Sequence, residues 1–221
     1  MKQNKAYIIG ITGGVGTGKS KAMDYLEENY ECLVIKADDI GNLVKLKGNE
    51  CYQPIINLLG KDILDPSCEI DKKIMASKIF NDKELLEKVN AIIHPAVRKR
   101  IDDCIEKNIY KYKYILIEAA LLVQANYLPV LNELWEIKCS KEVRIERLCE
   151  SRGYSKEKAE SIINSQVDDN YYEIACTEYI NTTDRNDFFG YKPIINDMMV
   201  EFLYIQLDAA MEVINESIGE R

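Results

Sequence analysis

Residues 10–20, GITGGVGTGKS, decide the fold of this 221-residue chain. Gly13 is followed, after four further residues, by Gly18-Lys19-Ser20, which is the spacing of a P-loop. The apolar run at 6–12 is typical of a buried parallel strand, and residues 19–29 favour a helix. The motif therefore has the strand before it and the helix after it between which a phosphate-binding loop is built.

The glycines of this loop allow successive backbone N–H groups to point inward and form a nest for phosphate oxygens. The start of the following helix adds partial positive charge. Lys19 is expected to bridge the β- and γ-phosphates of ATP, and Ser20 is expected to supply a hydroxyl ligand to Mg²⁺. The predicted ATP-binding residues are Gly13, Gly14, Val15, Gly16, Thr17, Gly18, Lys19 and Ser20.

The composition narrows the class of protein. With 47% hydrophobic residues the chain can bury one sizeable core, and we expect a single domain over residues 1–221. The net charge of −8 argues against a protein that coats nucleic acid, because phosphate binding of that kind favours a basic face. The seven cysteines include no C-x-x-C pair, so neither a zinc site nor a disulfide framework is predicted.

The sequence also bears on location and partners. No apolar stretch approaches the roughly 20 residues that a membrane span needs, and the first residues lead into a strand instead of a signal sequence. We therefore expect a soluble, cytoplasmic protein that binds neither membrane nor nucleic acid. Its expected partner is a small-molecule substrate, and its expected state is a monomer or a small homo-oligomer.

Three further apolar runs, at 32–35, 114–117 and 134–137, are predicted strands. The first two are followed by the acidic residues Asp38-Asp39 and Glu118, which fits a ligand cleft at the carboxyl ends of parallel strands. The helical stretch between them, about 40–111, is too long for a simple crossover and is predicted to be an inserted lobe for a second substrate. The predicted core is therefore 6–39, 112–140 and 175–221.

The last third of the chain is predicted to be helical. Two helices joined by a turn near Gly153 are predicted over about 141–170, with Ser155 as a candidate N-cap. Arg144, Arg147 and Arg152 fall on the first of them, where they form either a solvated surface or a lid that closes over ATP. Apolar residues between 193 and 218 mostly follow a helical stripe and predict a helix that covers the core.

Three classes of P-loop protein fit parts of this pattern. Residues 38–41 spell the D-x-x-G of a GTPase, but no N-K-x-D motif follows. Glu118 ends an apolar strand as in a motor ATPase, but the chain has no repeat, and this residue can equally order water around Mg²⁺. A small-molecule kinase needs a carboxylate near the γ-phosphate, cations and an acceptor pocket. The sequence offers all three.

Asp38 is the candidate for that carboxylate. If sequential strands are neighbours, the strand that precedes Asp38 lies beside the P-loop strand, and the carboxylate can reach a hydroxyl held over the cleft. The alternative is that Asp38 caps a helix over 39–46. The nearby P-loop favours the catalytic interpretation.

Several ordered stretches together resemble dephospho-coenzyme A (dephospho-CoA) kinases. The P-loop is one, and Lys36-Ala37-Asp38 stands where the family has Asp-Ala-Asp. The inserted lobe continues the likeness with GKDILD (60–65), IDK (70–72), IF (79–80) and VNAIIHPAV (89–97). ALLVQ (120–124) follows, and a lid-like segment runs from Arg147 to Gln166. The resemblance covers about residues 8–166 and fades after Gln166.

This resemblance implies a three-layer α/β P-loop kinase fold, similar to adenylate kinase, with a parallel five-stranded sheet, an inserted helical coenzyme-binding lobe and a helical lid. It implies transfer of the ATP γ-phosphoryl group to the ribose 3′-hydroxyl of dephospho-CoA, the last step of coenzyme A biosynthesis. Asp38 matches the family's proposed base. The predicted catalytic residues are Asp38, Lys19, Arg147 and Arg152.

His94 and Arg98 are the predicted acceptor-binding residues. The family pattern has a histidine at the position of His94. Pro95 directly after it favours a helix start, so His94 is also expected to lie at a helix boundary. Arg98 is the first of three consecutive cations that either meet acceptor phosphates or form an exposed basic turn. A catalytic role is not predicted for His94.

The chain also departs from the family pattern at four positions before Gln166, and after it in the segments 168–170 and 176–178. Lys36 replaces the first aspartate, Asn42 replaces a usual arginine and Gln124 replaces a glutamate. Ser151 stands where a lid arginine is expected, with Arg152 one residue further on and thus turned by about 100° around a helix. These departures leave two alternatives open: a divergent paralogue that phosphorylates another nucleotide, and a nucleotide-binding regulator that has lost transfer.

Overall fold

The computed structural model describes residues 4–80, 82–168, 170–183 and 185–219. The strands are β1 (Tyr7–Thr12), β2 (Cys32–Lys36), β3 (Tyr114–Glu118), β4 (Glu133–Lys138) and β5 (Tyr191–Ile195). The helices are α1 (Lys19–Asn29), α2 (Ala37–Leu43), α3 (Tyr52–Leu59), α4 (Lys72–Ile79), α5 (Lys83–Asn108), α6 (Lys141–Arg152), α7 (Lys156–Asn164), α8 (Tyr171–Thr182) and α9 (Val200–Gly219). Short 3₁₀ turns occupy Lys61–Ile63 and Leu128–Val130.

The chain divides into two compact units. The core unit comprises Met1–Ile35 and Tyr110–Arg221, and the helical unit comprises Lys36–Ile109. The core unit holds the sheet, the P-loop segment and α6–α9, while the helical unit holds α2–α5. In the part of the chain that the structure describes, no helix is long and apolar enough to cross a membrane.

The sheet has the strand order β2-β3-β1-β4-β5. β1 pairs in parallel with β3 on one side and β4 on the other, and β4 pairs in parallel with β5. Helices cover both sides of the sheet, so the predicted three-layer α/β fold with a parallel five-stranded sheet is confirmed. The carboxyl ends of β1 and its two neighbours meet at one edge, where such folds bind ligands.

The order of the strands corrects one expectation. β2 is not the neighbour of β1, because β3 lies between them. The assumption that the strand before Asp38 borders the P-loop strand is therefore wrong. The reason is topological: the chain leaves the sheet after β2 and returns through β3, which takes the position between β2 and the central strand β1.

The predicted start of the last helix is also wrong. Residues 193–195, predicted as the beginning of a helix, belong to β5, and α9 begins only at Val200. β5 pairs with β4 at the edge of the sheet, where Pro193 is tolerated because an edge strand does not need every N–H for pairing. Only Ile194 of this strand is fully buried. The five residues therefore show little of the alternation between buried and exposed positions that would distinguish a strand from the helix that follows.

The main core joins β1 to the helices α1 and α9. Tyr7, Ile9 and Ile11 of β1 pack on one face of the sheet against apolar residues of both helices. α9 contributes Leu203, Leu207, Ala210, Met211 and Ile214, which recur at helical spacing. This packing fixes both ends of the P-loop, because β1 leads into it and α1 leaves it.

Substitution of Leu207 by alanine tests this packing. Leu207 is fully buried, so its truncation is expected to lower the free energy of unfolding by about 2–5 kcal/mol. Ile205 on the same helix is 62% exposed, and Ile205→Ala is expected to change the free energy by about 0.5 kcal/mol or less. Chemical denaturation of both variants measures the difference, and equal losses would contradict the assignment of the buried face of α9.

The helical unit corrects the predicted boundary at His94. α5 runs without a break from Lys83 to Asn108 and contains Pro95 in its interior, although proline removes one backbone hydrogen bond. Apolar residues on both sides of Pro95, including Val89 and Val97, pack on the same cluster with α3 and α4. Tertiary packing therefore holds the helix together where local preference predicts its start.

Candidate nucleotide-binding site

The P-loop leaves β1 after Thr12 and enters α1 at Lys19, with Gly18 as the N-cap residue. Gly13 and Gly18 have φ angles of 141° and 98°, in the region that L side chains rarely adopt. A methyl group at Gly13 would collide with the carbonyl oxygen of Ile137, and one at Gly18 would collide with the carboxamide of Asn196. The loop therefore follows a path that requires glycine at both positions.

Lys19 reaches back across the loop. Its Nζ donates hydrogen bonds to the carbonyl oxygens of Gly13, at 2.7 Å, and Gly14, at 3.1 Å. The Thr17 hydroxyl donates to the same Gly14 carbonyl at 2.9 Å and closes the turn. Ser20 follows in the first turn of α1 with its side chain exposed. The roles of the ammonium in phosphate binding and of the hydroxyl in Mg²⁺ binding stay predictions.

Asn196 and Arg147 support the loop from the side of α1. The Asn196 Nδ2 donates to the Thr17 carbonyl at 2.7 Å, and the Arg147 Nη2 donates to the Asn196 carbonyl at 2.9 Å. The Arg147 Nη1 also lies 3.4 Å from the Thr17 carbonyl oxygen. Sequence reasoning missed Asn196, because it was placed within the predicted final helix. It follows β5 directly, so recognition of that strand would have marked it as a strand-end polar residue.

Arg144 contacts the other side of the loop. It is only 8% exposed, and its Nε donates to the Val15 carbonyl oxygen at 2.9 Å, while its Nη2 donates to Oε1 of Gln166. The interpretation of this arginine as part of a solvated surface is therefore wrong. Arg152, the last residue of α6, is exposed two turns further along the helix, and its catalytic role stays a prediction.

An open cavity of about 230 Å³ lies over the loop. The loop residues Gly13, Gly14 and Thr17 form one wall, and the charged and amide side chains that line it are Glu136, Lys138, Arg144 and Gln166. Burial raises the pKa of the nearby Cys139 thiol to about 11, with a hydrogen bond to Asp197 adding to the rise. The thiol is therefore uncharged at neutral pH and does not neutralise the arginines beside it. The lining therefore holds two cations, Lys138 and Arg144, and one carboxylate, Glu136.

The helical unit has a cavity of its own, of about 220 Å³. It is lined mainly by apolar side chains and by Asn42, Lys45, Glu69 and Lys72. Burial and the charge of Lys72 lower the pKa of Lys45, whereas the carboxylate of Asp38 acts in the opposite direction. Asp38 therefore lies close enough to this cavity for its charge to act on Lys45.

Asp38 is exposed in the first turn of α2, which begins at Ala37. The N-cap position belongs to Lys36, so the alternative that Asp38 caps a helix over 39–46 is wrong. An acidic residue in the first turn still interacts favourably with the helix dipole. The side chain is left exposed, as a group that binds an acceptor hydroxyl needs to be.

His94 and Arg98 both lie on α5 of the helical unit. His94 is exposed, and the Arg98 Nε donates to both carboxylate oxygens of Asp102, each at 2.9 Å. Arg100 on the same helix pairs with Glu50 at 2.6 Å. Neither His94 nor Arg98 is among the described residues that line the cavity of this unit. Their role in acceptor binding stays a prediction.

A glycine-rich loop that closes on a lysine, between the first strand of a parallel sheet and a helix, defines a nucleotide-binding P-loop protein. The CoaE dephospho-CoA kinase family matches residues 7–184. This match extends beyond residue 166, where the resemblance in the sequence motifs ends. The chain belongs to the dephospho-CoA kinase family, a family of phosphotransferases, and the predicted resemblance is confirmed.

Relatives with this activity in their names agree. The dephospho-CoA kinase of Dehalococcoides mccartyi is 37% identical over 164 residues, which cover 74% of this chain and 82% of that protein. The dephospho-CoA kinase of Streptococcus mutans is 31% identical over 161 residues, covering 72% of this chain and 80% of that protein.

Solved structures support the fold. The crystal structure of TT1252 from Thermus thermophilus has a TM-score of 0.72 and 20% identity, over 95% of this chain and 98% of that one. The dephospho-CoA kinase from Campylobacter jejuni has a TM-score of 0.64 and 20% identity over the same shares of the two chains.

Proposed function

We propose that this protein transfers the γ-phosphoryl group of ATP to the ribose 3′-hydroxyl of dephospho-CoA and so completes coenzyme A biosynthesis. The observation that carries the proposal is the P-loop itself, with Lys19 closed over Gly13 and Gly14, in a chain of the dephospho-CoA kinase family. In the reaction the 3′-oxygen bonds to the γ-phosphorus, and the bond from that phosphorus to the bridging oxygen breaks to release ADP. The hydroxyl proton passes to Asp38.

Each residue has a part in aligning the reactants and stabilising charge, which phosphoryl transfer mainly requires. The loop amides and Lys19 hold the phosphates, Asp38 orients the acceptor hydroxyl, and Arg147 with Arg152 stabilises the developing charge. The exposed hydroxyl of Ser20, next to Lys19, is a hard oxygen ligand of the type that Mg²⁺ prefers. When bound, Mg²⁺ would neutralise phosphate charge.

The helical unit is proposed to bind the acceptor. Its cavity combines apolar walls with Lys45 and Lys72, which suits a molecule that carries both a long uncharged arm and a pyrophosphate. His94 and Arg98 on α5 are proposed to contribute further acceptor contacts. The protein is proposed to act in the cytoplasm on this small molecule.

A divergent substrate is the second candidate function. Asn42 lines the acceptor cavity at the position where the family pattern has an arginine, so one cation is missing there. Lys36 and Gln124 depart from the pattern as well. The same transfer chemistry would then act on another nucleotide, which a test of several acceptors can recognise.

A coupled assay of ADP release with MgATP tests the function. The acceptors are dephospho-CoA, a series of nucleoside monophosphates, and none. Dephospho-CoA is expected to raise the rate at least about tenfold above the rate without acceptor, because an aligned acceptor replaces slow hydrolysis by water. Stimulation by a nucleoside monophosphate alone would favour the divergent paralogue, and absence of any stimulation by dephospho-CoA would contradict the proposal.

A further inference from the structure

The side-chain oxygen of Gln166 lies against the P-loop, where it accepts hydrogen bonds as a bound anion would. Its Oε1 accepts a hydrogen bond from the backbone N–H of Val15 at 3.1 Å and another from the Arg144 guanidinium. Inward-pointing loop amides and guanidinium groups are the donors that proteins use for phosphate oxygens. The carboxamide oxygen therefore occupies a site with the donor set of a phosphate-oxygen site.

Arg144 is held rigidly at this site. Its Nε is fixed by the Val15 carbonyl at 2.9 Å, and only 8% of the residue is exposed. A methyl group at Gly14 would collide with both the Arg144 guanidinium and the Gln166 carboxamide, so both groups lie directly against the Gly14 peptide. The guanidinium is thus oriented before any ligand arrives, which lowers the entropic cost of binding one.

The position of Arg144 along the P-loop indicates which phosphate of the nucleotide it contacts. Lys19, whose counterpart in P-loops reaches the β- and γ-phosphates, bonds to the carbonyl oxygens of Gly13 and Gly14. Lys19 and Arg144 therefore flank the same Gly14 peptide. The opposite end of the loop, at Gly18, is the one that begins α1. The Gly14–Val15 end is the end for the terminal phosphate.

We infer that Arg144 and the Val15 amide bind the terminal phosphate of ATP, and that the Gln166 carboxamide oxygen occupies this subsite until the phosphate displaces it. The inference deepens the proposed function and rests on it for the identity of the nucleotide. A phosphate oxygen is the better acceptor, because hydrogen bonds to a charged group are roughly twice as strong as neutral ones. ATP binding consequently releases the Gln166 side chain from the loop.

Arg144→Gln tests the phosphate contact, with binding measured by calorimetry on the full chain in MgCl₂ without acceptor. The Kd for ATP is expected to rise about 10- to 100-fold, and the Kd for ADP by about threefold or less, because ADP lacks the terminal phosphate. Lys156→Gln removes the same charge from an exposed position on α7 and is the matched control. Equal weakening of ATP and ADP would overturn the inference and leave Arg144 a structural support of the loop.

Gln166→Ala tests the displacement independently of Arg144. Without the carboxamide the donors of the subsite no longer have to exchange one acceptor for another, and the Kd for ATP is expected to fall about 2- to 10-fold. Weaker ATP binding by this variant would instead make Gln166 a ligand of the nucleotide and overturn the inference. Both experiments omit the acceptor, so a lack of stimulation by dephospho-CoA would refute the proposed function without altering these outcomes.

Discussion

Replacement of Lys19 by alanine is expected to lower kcat with dephospho-CoA by about three orders of magnitude or more. The ammonium donates hydrogen bonds to both the Gly13 and the Gly14 carbonyl oxygens. In the proposed site, its loss leaves the charge that moves onto the β–γ bridging oxygen without its main counterion. Steady-state ADP release at saturating ATP measures the effect.

Lys21→Ala is the matched control for Lys19→Ala. It removes the same charge two residues further along α1, from an exposed position, and its kcat is expected to stay within about twofold of the wild type. Circular dichroism of both variants is expected to match the wild type, since the buried residues of α1 are unchanged. A Lys19→Ala enzyme that retains more than about a tenth of the wild-type kcat would contradict the assignment of the site.

Asp38→Asn is expected to lower kcat by about 10²- to 10⁴-fold while the Kd for ATP changes by about threefold or less. The substitution keeps the size of the side chain but removes the carboxylate that is proposed to accept the hydroxyl proton. Asp38 belongs to the helical unit, whereas the P-loop belongs to the core unit, so the nucleotide contacts of the loop remain. Kinetics with dephospho-CoA and calorimetry with ATP separate the two effects.

Asp39→Asn is the control for Asp38→Asn. Asp39 shares the first turn of α2 and is exposed as well, so the two variants change the net charge and the helix dipole equally. Equal losses of kcat in both variants would show that Asp38 acts only through its negative charge and not as the base that accepts the proton. A wild-type protein that binds ATP and shows no rate with any acceptor would support the nucleotide-binding regulator instead.

The segment from β1 to α1 could be predicted from the sequence because its determinants are contiguous. The glycine spacing, the lysine and the flanking strand and helix all lie within residues 6–29, and α1 has the predicted bounds Lys19–Asn29. The turn after α6 was predicted for the same reason, since Gly153 adopts the left-handed conformation and the Ser155 hydroxyl caps α7. Local chemistry determines each of these features.

The features that sequence reasoning missed depend on contacts between distant residues. The edge position of β5 and the continuity of α5 through Pro95 both follow from packing partners far away in the chain. Arg144 and Gln166 meet the loop because α6 and the end of α7 lie against it, and charge patterning alone cannot separate such an arginine from a solvated one. Asn196 was missed because β5, the strand that precedes and positions it, was not predicted.

The position of the transferred phosphoryl group tests the central claim most directly. The enzyme would be incubated with dephospho-CoA, Mg²⁺ and ATP labelled in the γ-phosphoryl group, and the product analysed by mass spectrometry and ³¹P NMR. We predict that the label is recovered as a phosphomonoester on the ribose 3′-oxygen, in step with ADP formation. Recovery of the label only as inorganic phosphate, or on any other position of the acceptor, would contradict the claim.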